Sequence, residues 1–176
     1  MDSLGVFLFS SVGAAYSALN SIFKLASSEL IEFSPLGQQA QIIVRCSESS
    51  FAELSTLLKD SEPIKSKKIE DVEQKVLDTY FSLAADKIEN SILVVESSFL
   101  GHLFQVANNA ICAGIGLIDL KLPKAPGAHG HLILSSSSSE ILSHFLLSLA
   151  NEELRSHLVA DIHPEFRYFF NFTPTV

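Results

Sequence analysis

Two histidines, His129 and His131, lie two residues apart in a stretch rich in proline and glycine at residues 123–131. In a loop, this spacing can present two imidazoles to one metal ion, whereas in a strand alternate side chains point to opposite faces. The residues themselves leave two interpretations open, a metal site and ordinary exposed loop histidines. The metal site is the weaker of the two, and we predict no bound metal.

The sequence contains no motif typical of acid–base catalysis, nucleophilic catalysis or phosphate binding. The carboxylates Glu29, Glu32 and Glu96 form no obvious acid–base pair, and no nucleophile elbow, phosphate-binding glycine loop or zinc-binding helix motif occurs. Cys46 and Cys112 are far apart and belong to no CxxC motif, which predicts two buried reduced thiols in a cytosolic protein. We therefore expect a protein that is not an enzyme and has no cofactor.

Composition excludes two classes of partner. The chain has 176 residues, 47% of them hydrophobic, which supplies a core, and its net charge of −8 disfavours a nucleic-acid backbone. The one basic run, residues 65–68, is followed at once by Glu70, Asp71 and Glu73, so it predicts a solvated face. No apolar run approaches the roughly 20 residues that span a bilayer, so no membrane partner is expected.

Hydrophobic periodicity predicts the strands and helices that position these side chains. Pro35 and Gly37 mark a turn between two strands, which predicts a hairpin, and serine clusters before the later helices predict helix caps. Strand residues Glu32 and Asp119 are expected to face solvent or a neighbouring subunit. The predicted elements of the first half are a strand at 4–11, a helix at 12–26, strands at 29–33 and 39–46, a helix around 51–58 and a last strand at 62–66.

The second half repeats this order. Leu30-Ile31 and Leu117-Ile118 lie 117 − 30 = 87 residues apart, and the match runs without a gap from residue 10 to residue 33. After the hairpin the offset becomes 90, so the second loop is three residues longer. A helix at 69–88 is predicted to join the halves. The fold class is therefore α+β, with two ferredoxin-like βαββαβ domains in tandem, at 1–88 and 89–176.

Four segments carry a resemblance to a known family. They are Lys24-Leu25-Ala26 leading into Leu30-Ile31, the strand Ile42-Ile43-Val44-Arg45, the opening "ILVVESS" with Glu96, and the stretch from Ser156 to Glu165. Together they make the chain similar to the bacterial microcompartment shell proteins, in their tandem-domain form.

That resemblance implies a homotrimer that forms a pseudo-hexameric plate with a central pore. The plate would tile with other shell proteins in the cytoplasm, and small polar metabolites would cross the pore. His129 and His131 would then be polar groups that line it. The resemblance assigns to the pore loops Pro35, Leu36, Gly37, Gln38, Gln39, Lys124, Pro126, Gly127, His129, Gly130 and His131.

Several residues depart from the family pattern. The loops contain less glycine than is usual, which affects the expected pore width. The ring-edge lysine is present as Lys24 but is replaced by Ile111 in the second half, and Asp161 replaces a ring-edge arginine. Neither loop contains a cysteine, so no iron–sulfur cluster is predicted.

Two other functions stay open from the sequence. Ferredoxin-like domains also form trimeric regulators that bind small ligands, and the 121–131 loop could serve such a role. A small oligomeric enzyme would require a converging acid–base set that the sequence does not contain.

Overall fold

The computed structural model describes residues 3–25, 27–122, 128–149 and 153–166. These residues pack as two compact units. The first unit comprises the described residues up to Val72, together with Phe99–Gly101 and residue 128. The second comprises Glu73–Ser98, His102–Leu122 and the described residues from His129 onwards.

The first unit is built on a four-stranded antiparallel sheet in the order β2-β3-β1-β4. One face of this sheet packs against its helices, through core residues such as Phe7, Ile42 and Val44 from the strands and Ala18 and Leu54 from the helices. A short 3-10 turn, Lys59–Ser61, precedes the last strand. The main elements are β1 (Ser3–Phe9), α1 (Val12–Ile22), β2 (Ser28–Leu36), β3 (Gln39–Cys46), α2 (Glu48–Leu57) and β4 (Pro63–Ile69).

The second unit repeats the plan, with a sheet in the order β6-β7-β5-β8. The first unit has the element order βαββαβ, and the second has the same order after an additional first helix, α3. The α+β expectation is confirmed, and the arrangement is consistent with two ferredoxin-like domains in tandem. The elements are α3 (Gln74–Tyr80), β5 (Ser91–Ser97), α4 (Leu100–Cys112), β6 (Gly116–Lys121), β7 (Gly130–Ser136), α5 (Ser139–Ser148) and β8 (Arg155–Val159).

Serine side chains begin three of the helices. Ser11 accepts a hydrogen bond from the N–H of Ala14, Ser47 from that of Ser50, and Ser138 from that of Glu140. Each bond satisfies one of the N–H groups that a helix start leaves unpaired. The interpretation of the serine clusters as helix caps is confirmed.

The helix expected at 69–88 is shorter than the sequence pattern suggested. Ile69 is the last residue of β4, where it pairs with Leu4, and the helix covers only Gln74–Tyr80. Ser82 has a positive φ of 61°, which ends the helical path directly after Phe81. The apolar residues of this segment, whose spacing predicted one helix, therefore belong to two elements, the buried end of a strand and a short helix.

Equivalent strands pair in the same way in the two halves. The offset between equivalent residues, however, differs by one from the sequence alignment in part of the chain. Ile31 and Ile118 each form a bulge between paired residues, which confirms the offset of 87 for β2 and β6. Val6 pairs with Ile43 and Val94 with Ile133, so β1 and β5 lie 94 − 6 = 88 residues apart. Helices α1 and α4 begin at Val12 and Leu100, also 88 residues apart, so the gap-free match from residue 10 is wrong by one residue until β2.

No helix among the described residues combines the length and apolarity that crossing a bilayer requires.

Candidate functional site

The first hairpin is tighter than the five-residue loop expected at 35–39. Pro35 and Leu36 belong to β2 and Gln39 to β3, which leaves only Gly37 and Gln38 as the turn. Gly37 has a φ of 67°, in the left-handed region that residues with a Cβ adopt only at a cost. A two-residue loop with glycine first is typical of tight hairpins. At the tip, Gly37, Gln38 and Gln39 are exposed.

The second hairpin joins β6 to β7 by a longer connection. Gly130 and His131 already belong to β7, so the expected loop ends at His129 rather than at His131. His131 pairs in register with Lys121 on β6 and with Glu96 on β5. Of the other residues expected in this loop, Lys124, Pro126 and Gly127 lie outside the described residues.

A polar cluster lies at the base of the second hairpin. Asp119 accepts contacts from two sides: its Oδ2 is 3.1 Å from His131 Nε2, and its Oδ1 is 3.3 Å from Lys121 Nζ. Lys121 also donates to the hydroxyl of Ser82. Asp119 and Lys121 reach the same side because residues two apart on a strand share a face.

This cluster favours the ionised form of Asp119. Partial burial opposes ionisation, but the hydrogen bond with His131 and the charge of Lys121 outweigh it and hold the pKa of the Asp119 carboxyl below its ordinary value. The side chain of Asp119 is 15% exposed and is paired within its own sheet, so it is less open to solvent than expected, and the alternative that it faces a neighbouring subunit stays a prediction.

The first hairpin has a matching polar set at the equivalent positions. Glu32 accepts a hydrogen bond from Ser34, two residues along β2. Gln41, opposite Ser34 on β3, is 1% exposed, and its Nε2 has no hydrogen-bond partner among the residues that the structure describes. Its Oε1 accepts from the backbone N–H of Leu100, at 3.3 Å.

Sequence reasoning missed both polar sets, although each had a signal. In each half a carboxylate after the bulge is followed two residues later by a polar group, as in Glu32-Phe33-Ser34 and Asp119-Leu120-Lys121. A polar residue, Gln41 or His131, stands opposite on the next strand. This repeated pattern would have predicted that, in each half, these polar residues lie on one face of the sheet next to the hairpin.

The two histidines do not make a metal site in the described part of the chain. His131 lies in a strand and turns towards Asp119, while His129 precedes the strand and is exposed. The described residues contain no group of three or more His, Cys, Asp or Glu side chains that could hold a metal ion. The arrangement suits polar contacts with solutes or with another protein chain.

The remaining sequence candidates lie at element ends. Lys24 is exposed just after α1, and in the register of the helices its counterpart is Cys112, which is also exposed. Cys112 is therefore not the buried thiol expected, whereas Cys46 is buried. Asp161 has a φ of 52°, and Asp71, two residues after the equivalent strand of the first unit, has a φ of 47°. Aspartate tolerates this left-handed conformation better than most residues, which gives both positions a structural role as turn residues.

The fold is shared with a solved protein. The chain is similar to a microcompartment protein from Desulfitobacterium hafniense, at 14% sequence identity and a TM-score of 0.79, over 96% of this chain and 99% of that one. Similarity at this level of identity shows a common fold along almost the full length of both chains. No protein-family model matches the sequence, and no curated protein matches it.

Two further solved structures are similar only at a TM-score of 0.31, too low to support an argument. One is a putative glycine cleavage system transcriptional repressor, at 11% identity over 90% of this chain and 95% of that one. The other is an acetolactate synthase small subunit from Thermotoga maritima, at 12% identity over 93% of this chain and 99% of that one.

Proposed function

We propose that this protein is a structural component of a bacterial microcompartment shell and not an enzyme. The observation that carries the proposal is the fold shared with a microcompartment protein along 96% of the chain, together with the internal duplication. The shared fold and the duplication both agree with the resemblance of the sequence to tandem-domain shell proteins. The two shell-type domains are 1–88 and 89–176, and the protein works in the cytoplasm, in the shell, beside other shell proteins.

In this proposal three copies form a pseudo-hexameric plate, and their hairpins alternate around a central pore. The tight turn at Gly37 and Gln38 supports such a role because its tip presents exposed backbone at Gly37 and polar amide side chains at Gln38 and Gln39. The longer second hairpin contributes His129 and the segment with Lys124, Pro126 and Gly127. Lys24 and Asp161 lie at the plate edges.

The pore would act by selective diffusion of small polar metabolites. Backbone dipoles and charges close to an axis favour one class of solute over another, since they replace part of its hydration. The net charge of −8 does not set the sign of the pore, because Lys124 and His129 lie in the second hairpin. No bound cofactor takes part.

The native mass of the purified protein tests the proposal. We expect a trimer of about 58 kDa, three times 19.2 kDa, or a doubled form of it, by light scattering and sedimentation. Electron microscopy of the same sample should then show plates. A monomer or simple dimer would contradict the proposal. A trimer that forms no plates but binds one small molecule tightly would instead identify a ligand-binding regulator.

A further inference from the structure

Residues 82–90 join α3 to β5, and we call this segment the strap. It forms neither helix nor strand. In the described part of the chain, β6 is the outermost strand of the second sheet, next to β7. The outer N–H and C=O groups of an edge strand are a template for pairing with another chain unless something covers them. The contacts between the strap and β6 therefore bear on whether this edge can pair.

Two contacts show the direction of the strap along β6. Ser82 accepts a hydrogen bond from Lys121, the last residue of the strand, and Asp86 accepts one from Leu117, near its start. Ser82 and Asp86 are four residues apart, as are Leu117 and Lys121, and the two pairs follow in opposite order. The strap therefore runs antiparallel to β6, where a further antiparallel strand would pair.

Asp86 occupies both main-chain groups of Leu117. The N–H of Asp86 donates to the C=O of Leu117 at 2.9 Å, and the N–H of Leu117 donates to Asp86 Oδ2 at 2.7 Å. In a regular antiparallel pair, the second bond would go to a backbone carbonyl. Because a side-chain carboxylate takes its place, the strap covers the edge at this point without extending the sheet as a strand.

Lys75 and Gly116 hold the Asp86 carboxylate against β6. Lys75 Nζ, on α3, is 2.7 Å from Asp86 Oδ1 and 2.6 Å from Oδ2. At Gly116, a built Cβ would lie 3.4 Å from Asp86 Cβ and 3.2 Å from the carbonyl oxygen of Ser135. The absence of a side chain at position 116 therefore allows the strap to approach the strand closely.

The end of the strap is held by neutral hydrogen bonds. The N–H of Glu89 donates to Ser135 Oγ at 2.8 Å, and Asn90 donates from Nδ2 to the C=O of Ser137 at 3.3 Å. The contact of Asp86 with Lys75 joins opposite charges, and charge-assisted hydrogen bonds are stronger than neutral ones. Asp86 is therefore the strongest of these restraints on the strap.

We propose that the strap closes the outer edge of the second sheet against pairing with a strand of another copy of this chain, and that Asp86 keeps it closed. Without Asp86 the strap leaves β6, and the N–H and C=O of Leu117 become available to a second copy. The strap is thus a conformational device that limits association through this edge. The inference does not depend on the shell function: a monomeric wild-type protein would contradict the proposed trimer and leave the strap in place.

Self-association of the full-length chain tests the role of the strap. We expect Asp86→Ala to gain intermolecular β-sheet as its concentration rises, seen by thioflavin T fluorescence and infrared spectroscopy, and the wild type to gain none. Asp78→Ala is the matched control, because the Asp78 carboxylate accepts from Gln74 on the same helix. Gly37→Ala, which strains the first hairpin, controls for a general loss of stability. Equal self-association in either control would overturn the inference.

Amide hydrogen exchange at Glu89 measures opening of the strap. The acceptor of this N–H, Ser135, is unchanged in Asp86→Ala, so faster exchange reports release of the whole segment. We expect the exchange rate to rise about tenfold or more, because a charge-assisted contact is lost. In Asp78→Ala the rate should stay within about twofold of the wild type. An unchanged rate at Glu89 in Asp86→Ala would show that Asp86 does not keep the strap closed.

A disulfide should close the strap without the carboxylate. The 3.4 Å between a Cβ built at Gly116 and that of Asp86 is close to the Cβ separation of about 3.5–4.5 Å found in disulfides. In a Cys112→Ser background, we expect Asp86→Cys with Gly116→Cys to form this bond on oxidation. The oxidised protein should then stay free of self-association, and the reduced protein should self-associate. Failure to form the bond, or equal self-association of the two forms, would contradict the closed strap.

Discussion

At the scale of single residues, the equivalent carboxylates of the two halves accept hydrogen bonds from different donors. Glu32 is held by the neutral hydroxyl of Ser34, whereas Asp119 lies between Lys121 and His131. The first solution suits a buried face that also contains Gln41, and the second a face that is partly open to water. The duplicated position has kept an acceptor, while its donors have changed from one hydroxyl to an ammonium group and an imidazole.

Asp119→Asn should destabilise the protein by about 1 kcal/mol at neutral pH, because the amide loses the ion pair with Lys121 and is a weaker acceptor for His131. The ionised carboxylate stabilises the fold above its ordinary pKa of 3.8, since its pKa in the folded protein is lower. That stabilisation disappears as the pH falls through the lower, folded-state pKa. The free energies of unfolding of wild type and variant, measured with urea, should therefore differ at about pH 7 and converge only as the pH falls below 3.8.

Other titratable groups lie close to this cluster. A second pair of proteins, both carrying a substitution of His131, separates their contributions to the pH dependence of stability. Glu96 and Arg155 continue the row beyond His131, and His157 lies on the neighbouring strand. Repeating the Asp119→Asn comparison with His131→Gln in both proteins removes the imidazole from the pH profile. A difference between wild type and variant that persists below the pKa of the carboxyl would show that Asp119 acts by packing and not by charge.

At the scale of elements, hydrophobic periodicity predicted most of the fold correctly. Strand β3 was expected at 39–46 and is found there, and the helix expected at 12–26 begins at Val12 as α1. Periodicity failed at 69–88, where Ile69 belongs to a strand whose partner, β1, lies far away in the sequence. A local pattern contains no information about such distant pairing.

The candidate site was only partly predictable for the same reason. Composition located the two hairpins, but the roles of Gln41 and His131 depend on which strands lie opposite them. The open or covered state of each sheet face depends on residues from elsewhere in the chain, such as Leu100 beside Gln41. Sequence spacing placed His131 in a loop, and the register with Lys121 moved it into the strand.

The first hairpin depends on the left-handed conformation of Gly37. Gly37→Ala should destabilise the protein by about 1–2 kcal/mol, because a Cβ disfavours a φ of 67°. Gln38→Ala, in the same exposed turn, does not face this penalty and should be close to neutral. Urea unfolding of both variants measures the difference. Equal midpoints for the two would show that the turn relaxes to a conformation without positive φ.

At the scale of the whole molecule, duplication has produced two similar sheets with unequal second faces. The first is apolar and buried, with Leu8 in the central row, and the second is charged and open, with Glu96 at the same position. Among the described residues, the duplication has therefore kept the strand pairing while the polarity of the second face has changed.

A trimer that unfolds with dissociation should show a melting temperature that rises with protein concentration, because association shifts the equilibrium towards the folded state. For three chains of this length we expect roughly 2–3 °C per tenfold change in concentration. Differential scanning calorimetry over two decades of concentration, at several scan rates, measures the slope. A wild-type melting temperature that does not change with protein concentration would contradict the proposed trimer.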